Sequence, residues 1–201
     1  MISIERVQVG DEPDAWRAAG FDVDDGCLAV GAIRLVCTGQ HDGTSWTLRD
    51  LDSTVDDVDG IRTAVTDLQR PEPVTHPNGV TGVDHLVIGS PDLDRTTQAF
   101  ERLGVECRRI RDAGSPERPM QQRFFRLGPV ILEVVGAPEP TGDGPASIWG
   151  FAFTVDDLDA SVDALGPACG RAKDAVQPGR RIATVRTRDL GISTPIALMS
   201  G

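Results

Sequence analysis

The chain has 201 residues, of which 39% are hydrophobic and 25% charged, a balance typical of a folded globular protein. Its 31 acidic side chains outnumber its 20 basic ones, so the formal net charge at pH 7 is -11. Such a surface repels a phosphate backbone, and the arginines form only isolated pairs such as Arg180-Arg181, which disfavours nucleic acid as a partner.

Membrane insertion and disulfide bonding are also disfavoured. No stretch approaches the roughly 20 apolar residues that a membrane span needs, and MISIERVQVGDEPD lacks the basic-then-apolar order of a secretory signal. The sequence therefore predicts a cytoplasmic protein with no membrane partner. Cys27, Cys37, Cys107 and Cys169 lack the close spacing of a metal site, so we expect buried thiols rather than disulfides.

A divergent βαβββ-like module is predicted for residues 1–69. IERVQVG is predicted as a strand, DEPDAWRAAG as a shortened helix and CLAVGAIRLVCTG as two strands, and Trp46 to Leu51 adds one more strand. The two glycines of GAIRLVCTG are eight residues apart, as are those of GPVILEVVG further along the chain. This spacing supports a relation between the two regions.

The stretch RPEPVTHPNG, Arg70 to Gly79, is predicted as a linker, because three prolines and a terminal Asn-Gly exclude regular structure. We expect His76 in this linker and His41 in an earlier polar loop to be exposed to solvent. A second joint, GAPEPTGDGPAS, separates the two modules that follow.

A second module, with elements in the order βαβββ, is predicted for residues 80–137. Ser90 is predicted as the N-cap of a helix with Pro91 at its first position, and Gly104 ends this helix. The predicted strands are Val83 to Ile88, Val105 to Ile110, Met120 to Leu127 and Val130 to Val135, the last two joined by a tight Gly128-Pro129 turn.

The same order recurs in residues 146–201. SIWGFAFTVDDLDASVDALG predicts a strand and a helix that starts at Asp156-Asp157 and stops at Gly166, and RRIATVRTRDLGISTPIALMSG supplies the last two strands. The predicted fold class is therefore α+β, built from repeated βαβββ modules.

The segments DHLVIGSPDLDRTTQAFERLG, RFFRLGPVILEVVG and WGFAFTVDDLDASVDALG together resemble the vicinal oxygen chelate superfamily. This superfamily includes glyoxalase I, bleomycin-resistance and fosfomycin-resistance proteins and extradiol dioxygenases. The resemblance covers residues 82–201. It implies that curved mixed sheets of paired modules form a cup, and that residues 80–201 together form one glyoxalase-like domain.

Enzymes of this superfamily hold a divalent metal through a residue on the first strand and a glutamate on the last strand of each module. The resemblance places His85 and Glu133 at these positions of the middle module. A carboxylate within the apolar run of Glu133 is costly to bury unless it meets a cation, a proton or strong donors. An imidazole and a carboxylate suit Zn²⁺, Ni²⁺, Mn²⁺ or Fe²⁺, and the two groups are also able to satisfy one another.

The other modules depart from this pattern. Alignment puts Gly150 and Leu198 at the two ligand positions of the last module, and Arg6 and Val36 at those of the first. A four-ligand site within one chain is therefore not expected, and we expect no tightly bound metal. A symmetric homodimer that brings two His85 and Glu133 pairs together is the other route to a complete site.

The wall of the cup is predicted from strand periodicity to be largely apolar. The pairs Arg123/Arg126 and Phe124/Phe125 point to opposite faces, so one member of each is a candidate for the wall, and the alternative for the arginine is a solvated ion pair. Trp149 is expected either at the mouth or in the core. The candidate lining residues are Val87, Arg123, Phe125, Ile131, Val135, Trp149 and Gly150.

Three functions fit these features. The first is a glyoxalase-like protein that binds a small, largely apolar molecule in its cup, with an incomplete metal site. The alternative is a divergent metal-dependent lyase, isomerase or dioxygenase that uses His85 and Glu133, across a dimer interface if need be. The third is a scaffold for protein contacts whose cup is filled by side chains.

Overall fold

The computed structural model describes residues 1–40, 44–51, 55–72 and 74–201. In these residues it contains three α-helices and fourteen strands in two sheets, and both sheets combine parallel with antiparallel ladders. The predicted α+β class is confirmed. The α-helices are α1 (Pro13–Ala18), α2 (Leu93–Arg102) and α3 (Leu158–Leu165), and 3₁₀ turns cover Gly166–Ala168 and Thr187–Leu190. Within the described ranges, no helix has the length and apolar character needed to cross a bilayer.

The first sheet comes from the N-terminal third of the chain. Its six strands lie in the order β2-β3-β1-β4-β6-β5. They are β1 (Ser3–Val9), β2 (Cys27–Val30), β3 (Ile33–Cys37), β4 (Ser45–Arg49), β5 (Asp57–Val58) and β6 (Ile61–Val65).

The second sheet comes from the rest of the chain. Its eight strands lie in the order β12-β13-β14-β11-β7-β10-β9-β8. They are β7 (Val80–Gly89), β8 (Arg109–Ser115), β9 (Arg118–Leu127), β10 (Val130–Gly136), β11 (Ser147–Val155), β12 (Lys173–Asp174), β13 (Arg181–Val185) and β14 (Ile196–Ser200). The strand-helix-three-strand order predicted for the middle and last parts of the chain is present in both.

The chain divides into two compact units. Unit 1 comprises the described residues of Met1–Glu5, Thr44–Leu68 and His85–Trp149, and unit 2 comprises those of Arg6–Gly43, Gln69–Asp84 and Gly150–Gly201. Unit 1 contains α2 and β8 to β10, and its aromatic core pairs Phe100 with Phe125 at 5.0 Å and with Trp46 at 6.0 Å between ring centroids. The core of unit 2 groups Trp16 and Phe21 around Phe153.

Helix α2 begins two residues later than the sequence predicts. Asp92, not Ser90, is the N-cap: its carboxylate accepts a hydrogen bond from the backbone N–H of Arg95 at 3.0 Å. The hydroxyl of Ser90 instead accepts from the N–H of Asp92 at 3.0 Å. Two residues with side-chain oxygens, Ser90 and Asp92, thus precede the helix. Asp92 forms the cap because it lies directly before Leu93 and has an extended backbone. The predicted end holds, since Gly104 follows the helix with φ at +79°.

The N-terminal region contains more strands than predicted. One βαβββ-like module was expected in residues 1–69, whereas the structure has β1, α1, β2 and β3 followed by β4, β5 and β6. The additional hairpin joins Val58 to Ile61 through Asp59 and Gly60, both with positive φ, at 51° and 87°. Asp-Gly between two apolar residues is the sequence signal of a two-residue hairpin turn. The module boundaries proposed for the chain remain a prediction.

His76 is buried, with 2% of its surface exposed, which corrects the expectation that the linker exposes it. Its Nδ1 accepts a hydrogen bond from the N–H of Asp22 at 3.0 Å, and its Nε2 lies 2.9 Å from the carbonyl oxygen of Ala29. The imidazole therefore fixes the linker to unit 2 although the linker has no regular structure. His41 lies outside the described residues.

None of the four cysteines forms a disulfide, as predicted. Cys37 and Cys169 are buried, while Cys27 and Cys107 are only half-buried, so the expected burial holds for two of the four. Burial raises the pKa of the Cys37 thiol to about 12, and Asp11 adds to this shift.

Candidate functional site

Strands β7 to β10 present two chemically different faces, because side chains alternate along each strand. In β7, Leu86 and Ile88 are fully buried, whereas His85 on the other side is half-buried. In β10, Leu132 and Val134 are buried in the same way. We call the second side the open face; it carries His85, Val87, Gln122, Phe124, Arg126, Ile131, Glu133 and Val135 together with Arg109 and Arg111.

The open face has a connected polar centre. Nε2 of His85 lies 3.6 Å from Oε2 of Glu133, and the two side chains are 15% and 13% exposed. The amide Nε2 of Gln122 donates a hydrogen bond to Oε1 of Glu133. The guanidinium Nε of Arg111 donates in turn to Oε1 of Gln122 at 2.6 Å, so the amide has a fixed orientation. We call these four residues the polar row.

Apolar groups flank the polar row. Phe124 stands directly beside Glu133 in the ladder, and its ring lies under the guanidinium groups of Arg109 and Arg111, whose Cζ atoms are 5.9 and 5.8 Å from the ring centroid. Such cation-π contacts hold an aromatic ring in place at a partly exposed site. Val87, Ile131 and Val135 lie on the same face, as the sequence predicts.

Arg123 and Phe125 do not lie on the open face, which corrects their assignment as lining residues. The guanidinium of Arg123 donates hydrogen bonds to the carbonyl oxygen of Leu93 and to Oγ1 of Thr97, at 3.1 and 3.0 Å, both in α2. The ring of Phe125 is buried in the aromatic core of unit 1. The physical reason is the register of the β9–β10 hairpin, which sets Phe124 beside Glu133 and therefore turns its neighbours away.

The two remaining lining candidates are placed differently from each other. Trp149 belongs to unit 1 and is 58% exposed, so it is not a core residue. Gly150 belongs to unit 2 and is buried in β11. A Cβ atom at this glycine would lie 2.6 Å from the backbone oxygen of Pro195. A larger residue therefore fits only if the backbone just before β14 moves.

Strand registers locate the positions in the other modules that match His85 and Glu133. In the middle module His85 pairs with Ile131, and Glu133 pairs with Val87 two residues further on. The first module repeats this pattern with Arg6, Arg34, Gln8 and Val36, so the match of Arg6 and Val36 is confirmed. These two residues supply no metal ligand.

In the last module the register corrects the alignment by one residue. Ala197 pairs with Ala152, as Glu133 pairs with Val87, whereas Leu198 pairs with Phe153 on the buried side. Gly150 keeps its match with His85. Neither glycine nor alanine carries a ligand atom in its side chain, so this module adds nothing to a metal site.

The residues present do not fit a divalent metal held by one chain. Within the described ranges no group of three or more His, Cys, Asp or Glu side chains is arranged to hold an ion. His85 and Glu133 are two ligands only, and Oε1 of Glu133 already accepts a hydrogen bond from Gln122. A shared site between two copies of the chain stays a prediction.

Gln122, Phe124 and the two arginines of β8 were not predicted as neighbours of Glu133, although Phe124 was the alternative to Phe125 for the wall of the cup. A signal for the first two was present in the Gly128-Pro129 turn, since a two-residue hairpin pairs Leu127 with Val130 and fixes every pair behind it. Counting back along the two strands sets Phe124 beside Glu133. Arg109 and Arg111 were not placed because the strand was predicted at Val105 to Ile110, whereas β8 is Arg109–Ser115 and joins β9 through a two-residue turn that pairs Ser115 with Arg118.

Comparison with known proteins agrees with this architecture. The model of the Glyoxalase/Bleomycin resistance protein/Dioxygenase superfamily matches residues 84–183. No curated protein matches the chain. The solved structures that match include a mutant of 4-hydroxymandelate synthase from Streptomyces coelicolor, with 16% identity, a TM-score of 0.63 and coverage of 100% of this chain and 93% of that one.

Two dioxygenases also match. An extradiol ring-cleaving dioxygenase from B. fuscum has 13% identity and a TM-score of 0.61, with coverage of 100% of this chain and 71% of that chain. A catechol 2,3-dioxygenase has 14% identity and a TM-score of 0.58, with coverage of 99% and 86%. Identities this low establish the shared fold and leave the chemistry to the residues of each site. By the family match, residues 84–183 of this chain belong to the vicinal oxygen chelate superfamily, the glyoxalase/bleomycin resistance protein/dioxygenase superfamily.

Proposed function

We propose that this protein binds a small, largely apolar molecule on the open face of β7 to β10, anchored by the polar row and without a metal ion. The observation that carries the proposal is the set of contacts that protein groups make with the carboxylate of Glu133. One oxygen of its carboxylate accepts from Gln122, and the other lies 3.6 Å from His85. A protein donor thus already occupies one of the two carboxylate oxygens that would otherwise be available to a metal.

The polar row retains capacity for one more hydrogen-bonding group. Oε2 of Glu133 accepts no short hydrogen bond from His85 at 3.6 Å, which is beyond the usual range of N–H···O bonds. Both side chains are partly exposed, so a ligand is able to reach them. A hydroxyl or amine of the ligand would donate to Oε2 of Glu133, beside the imidazole of His85.

The flanking groups define the rest of the ligand. Phe124 offers a half-buried ring held by two guanidinium groups, and Ile131 and Val135 offer aliphatic surface. Apolar walls with a few convergent polar groups are the usual composition of small-molecule sites. The arrangement suits a planar or aromatic molecule with one polar substituent, and substituted phenols are the simplest probes.

The experiment is a calorimetric titration of a panel of substituted phenols and aliphatic alcohols into the metal-free protein. Glu133→Gln and His85→Ala are each expected to weaken the binding of a phenol about tenfold or more, because each removes a polar contact to the ligand. Thr184→Ala changes an exposed side chain of β13 and serves as the matched control, with unchanged affinity.

The proposal fails if no probe binds saturably, or if both site variants bind as the parent protein does. A second candidate function, a metalloenzyme with its ion shared between two chains, is favoured by one observation: His85 and Glu133 stand together, partly exposed, on one face. One transition-metal ion per two chains in the native dimer, lost in Glu133→Gln, would decide for that candidate.

A further inference from the structure

We propose a second binding site, for a small dianion, in a cavity of about 430 Å³ in unit 1. The cavity lies where α2 ends and β8 approaches, beside the start of β1 and the end of β4. Three arginines line it, namely Arg102, Arg108 and Arg126, together with the apolar side chains of Leu51, Leu103 and Val105. A cavity of this size is sufficient for a small metabolite.

The three arginines come from different elements. Arg102 is the last residue of α2, and Arg126 is the second-last residue of β9. Arg108 is placed by its backbone, whose N–H donates to the carbonyl oxygen of Phe124 at 2.8 Å. The fold therefore brings three positive charges to one cavity in a protein whose formal net charge is -11. Like charges collected in this way repel one another unless an anion lies among them.

Two of these guanidinium groups have no protein partner within the described ranges. Neither Arg102 nor Arg108 donates a side-chain hydrogen bond or forms an ion pair there, and Arg126 uses only Nε, which donates to the carbonyl oxygen of Gly128 at 3.0 Å. The terminal guanidinium nitrogens of all three arginines are therefore able to donate to a ligand. A guanidinium fork matches the paired oxygens of a phosphate or a carboxylate.

Two carboxylates also line the cavity and oppose anion binding in part. Asp50 lies 3.8 Å from the amino group of Met1, which offsets its charge, while Glu106 is exposed. The arginines still outnumber the carboxylates by three to two. A dianion is therefore preferred to a monoanion, because it engages more than one guanidinium group at once.

The apolar wall and the turn after α2 leave room for a short carbon skeleton. Gly104 lines the cavity with φ at +79°, and an added Cβ would meet no atom within 4 Å. The ligand class is thus a small organic dianion with phosphate or dicarboxylate groups. No residue of the polar row lines this cavity, although Arg126 stands beside Ile131 on the open face, so the proposal does not depend on the function proposed above.

The test is a calorimetric titration of inorganic phosphate and, separately, of succinate into the full chain at constant ionic strength, with sodium chloride as the reference. Saturable binding of at least one dianion is expected. Arg102→Gln and the double variant Arg102→Gln/Arg108→Gln are expected to weaken it, the double variant about tenfold or more. Arg171→Gln, which removes one exposed positive charge in unit 2, is the matched control and is expected to bind normally.

The phosphate and succinate arms distinguish the two ligand types, and binding of either supports the site. Equal weakening by Arg171→Gln would show a general charge effect and overturn the proposal, as would the absence of saturable binding at millimolar concentrations of both dianions. Thermal unfolding of each variant verifies folding. If the double variant unfolds, Arg102→Gln alone decides, because its exposed side chain at the end of α2 has no partner to lose in the described chain.

Discussion

His85 and Glu133 meet diagonally across two parallel strands, with Nε2 of the imidazole 3.6 Å from Oε2 of the carboxylate. The residue directly beside His85 in the ladder is Ile131, and the residue beside Glu133 is Val87. The pair is therefore close enough for electrostatic attraction but too far apart for a good hydrogen bond. This geometry leaves Oε2 of Glu133 able to bind a third polar atom.

A double-mutant cycle on this pair tests whether it serves the fold. We expect Glu133→Gln and His85→Asn to couple by less than about 1 kcal/mol in the free energy of unfolding, because the contact is long and partly exposed. Denaturant unfolding of the parent, both single variants and the double variant gives the coupling energy. A coupling of about 3 kcal/mol would assign the pair to the stability of the protein and argue against a binding role.

Arg123 is expected to stabilise the packing of α2 on the sheet. Arg123→Met should lower the free energy of unfolding by about 2 kcal/mol, because it leaves the carbonyl oxygen of Leu93 and the hydroxyl of Thr97 without their donor. Arg118→Met, at an exposed position of the same strand, should change it by no more than about 0.5 kcal/mol. Equal effects of the two substitutions would contradict the placement of Arg123 against α2.

Gly136 is expected to tolerate no side chain. An added Cβ would collide with the backbone oxygen of Ser90, so Gly136→Ala should cost about 1–3 kcal/mol of stability. Gly142→Ala is the control, since a Cβ there meets nothing within 4 Å. Neither glycine has a positive φ, so the comparison isolates the steric effect. Chemical denaturation of both variants measures it, and a fully stable Gly136→Ala protein would refute this account of the end of β10.

His76 should make the stability of the protein depend on pH. Burial lowers the pKa of its imidazole from 6.5, although the hydrogen bond with Ala29 opposes this shift. The unfolded chain therefore binds a proton at a higher pH than the folded chain does. The stabilisation from the neutral imidazole is fully present above pH 6.5 and is lost as the pH falls below that value.

Unfolding free energies measured between pH 8 and pH 5 are the test, with His76→Gln as the comparison. The substitution should reduce the decline on the acid side of pH about 6.5, because the glutamine amide does not titrate. An identical decline in parent and variant would place the pH dependence elsewhere.

Cys37 should resist alkylation in the folded protein, because it is buried and the pKa of its thiol is about 12, so almost no thiolate is present near neutral pH. Cys107 is half-buried and should react first. Peptide mapping by mass spectrometry after brief treatment with iodoacetamide at pH 8 orders the two sites. Faster modification of Cys37 would show that this part of unit 2 opens readily.

The sequence and the structure agree where a local pattern carries the information. Gly128-Pro129 forms the predicted turn, Gly104 ends the predicted helix, and the apolar alternation of β7 and β10 places Val87, Ile131 and Val135 on one face. Each of these features depends on backbone sterics or on the period of a strand, which neighbouring residues determine.

The disagreements arise where two distant segments set the answer. QQRFFRL left two alternatives open, Arg123 or Arg126 and Phe124 or Phe125. The register against β10 resolved both, because it brings Phe124 to the open face and turns Arg123 toward α2. The match of Leu198 was wrong by one residue for the same reason, because its register against β11 is set by parallel pairing across the module. A shift of one residue in a strand exchanges its faces, so small alignment errors change the chemistry assigned to a site.

By itself the sequence determined the α+β class, the superfamily, the order of elements in the last two modules, and the presence of an imidazole and a carboxylate on the first and last strands of the middle one. Only the tertiary structure decided what surrounds that carboxylate: Gln122 donates to it, Arg111 holds the amide, and Phe124 lies beside it. Local backbone preferences are encoded in adjacent residues. The partners of a buried charge depend on which strands pair and in which register, and that is settled only when the sheet forms.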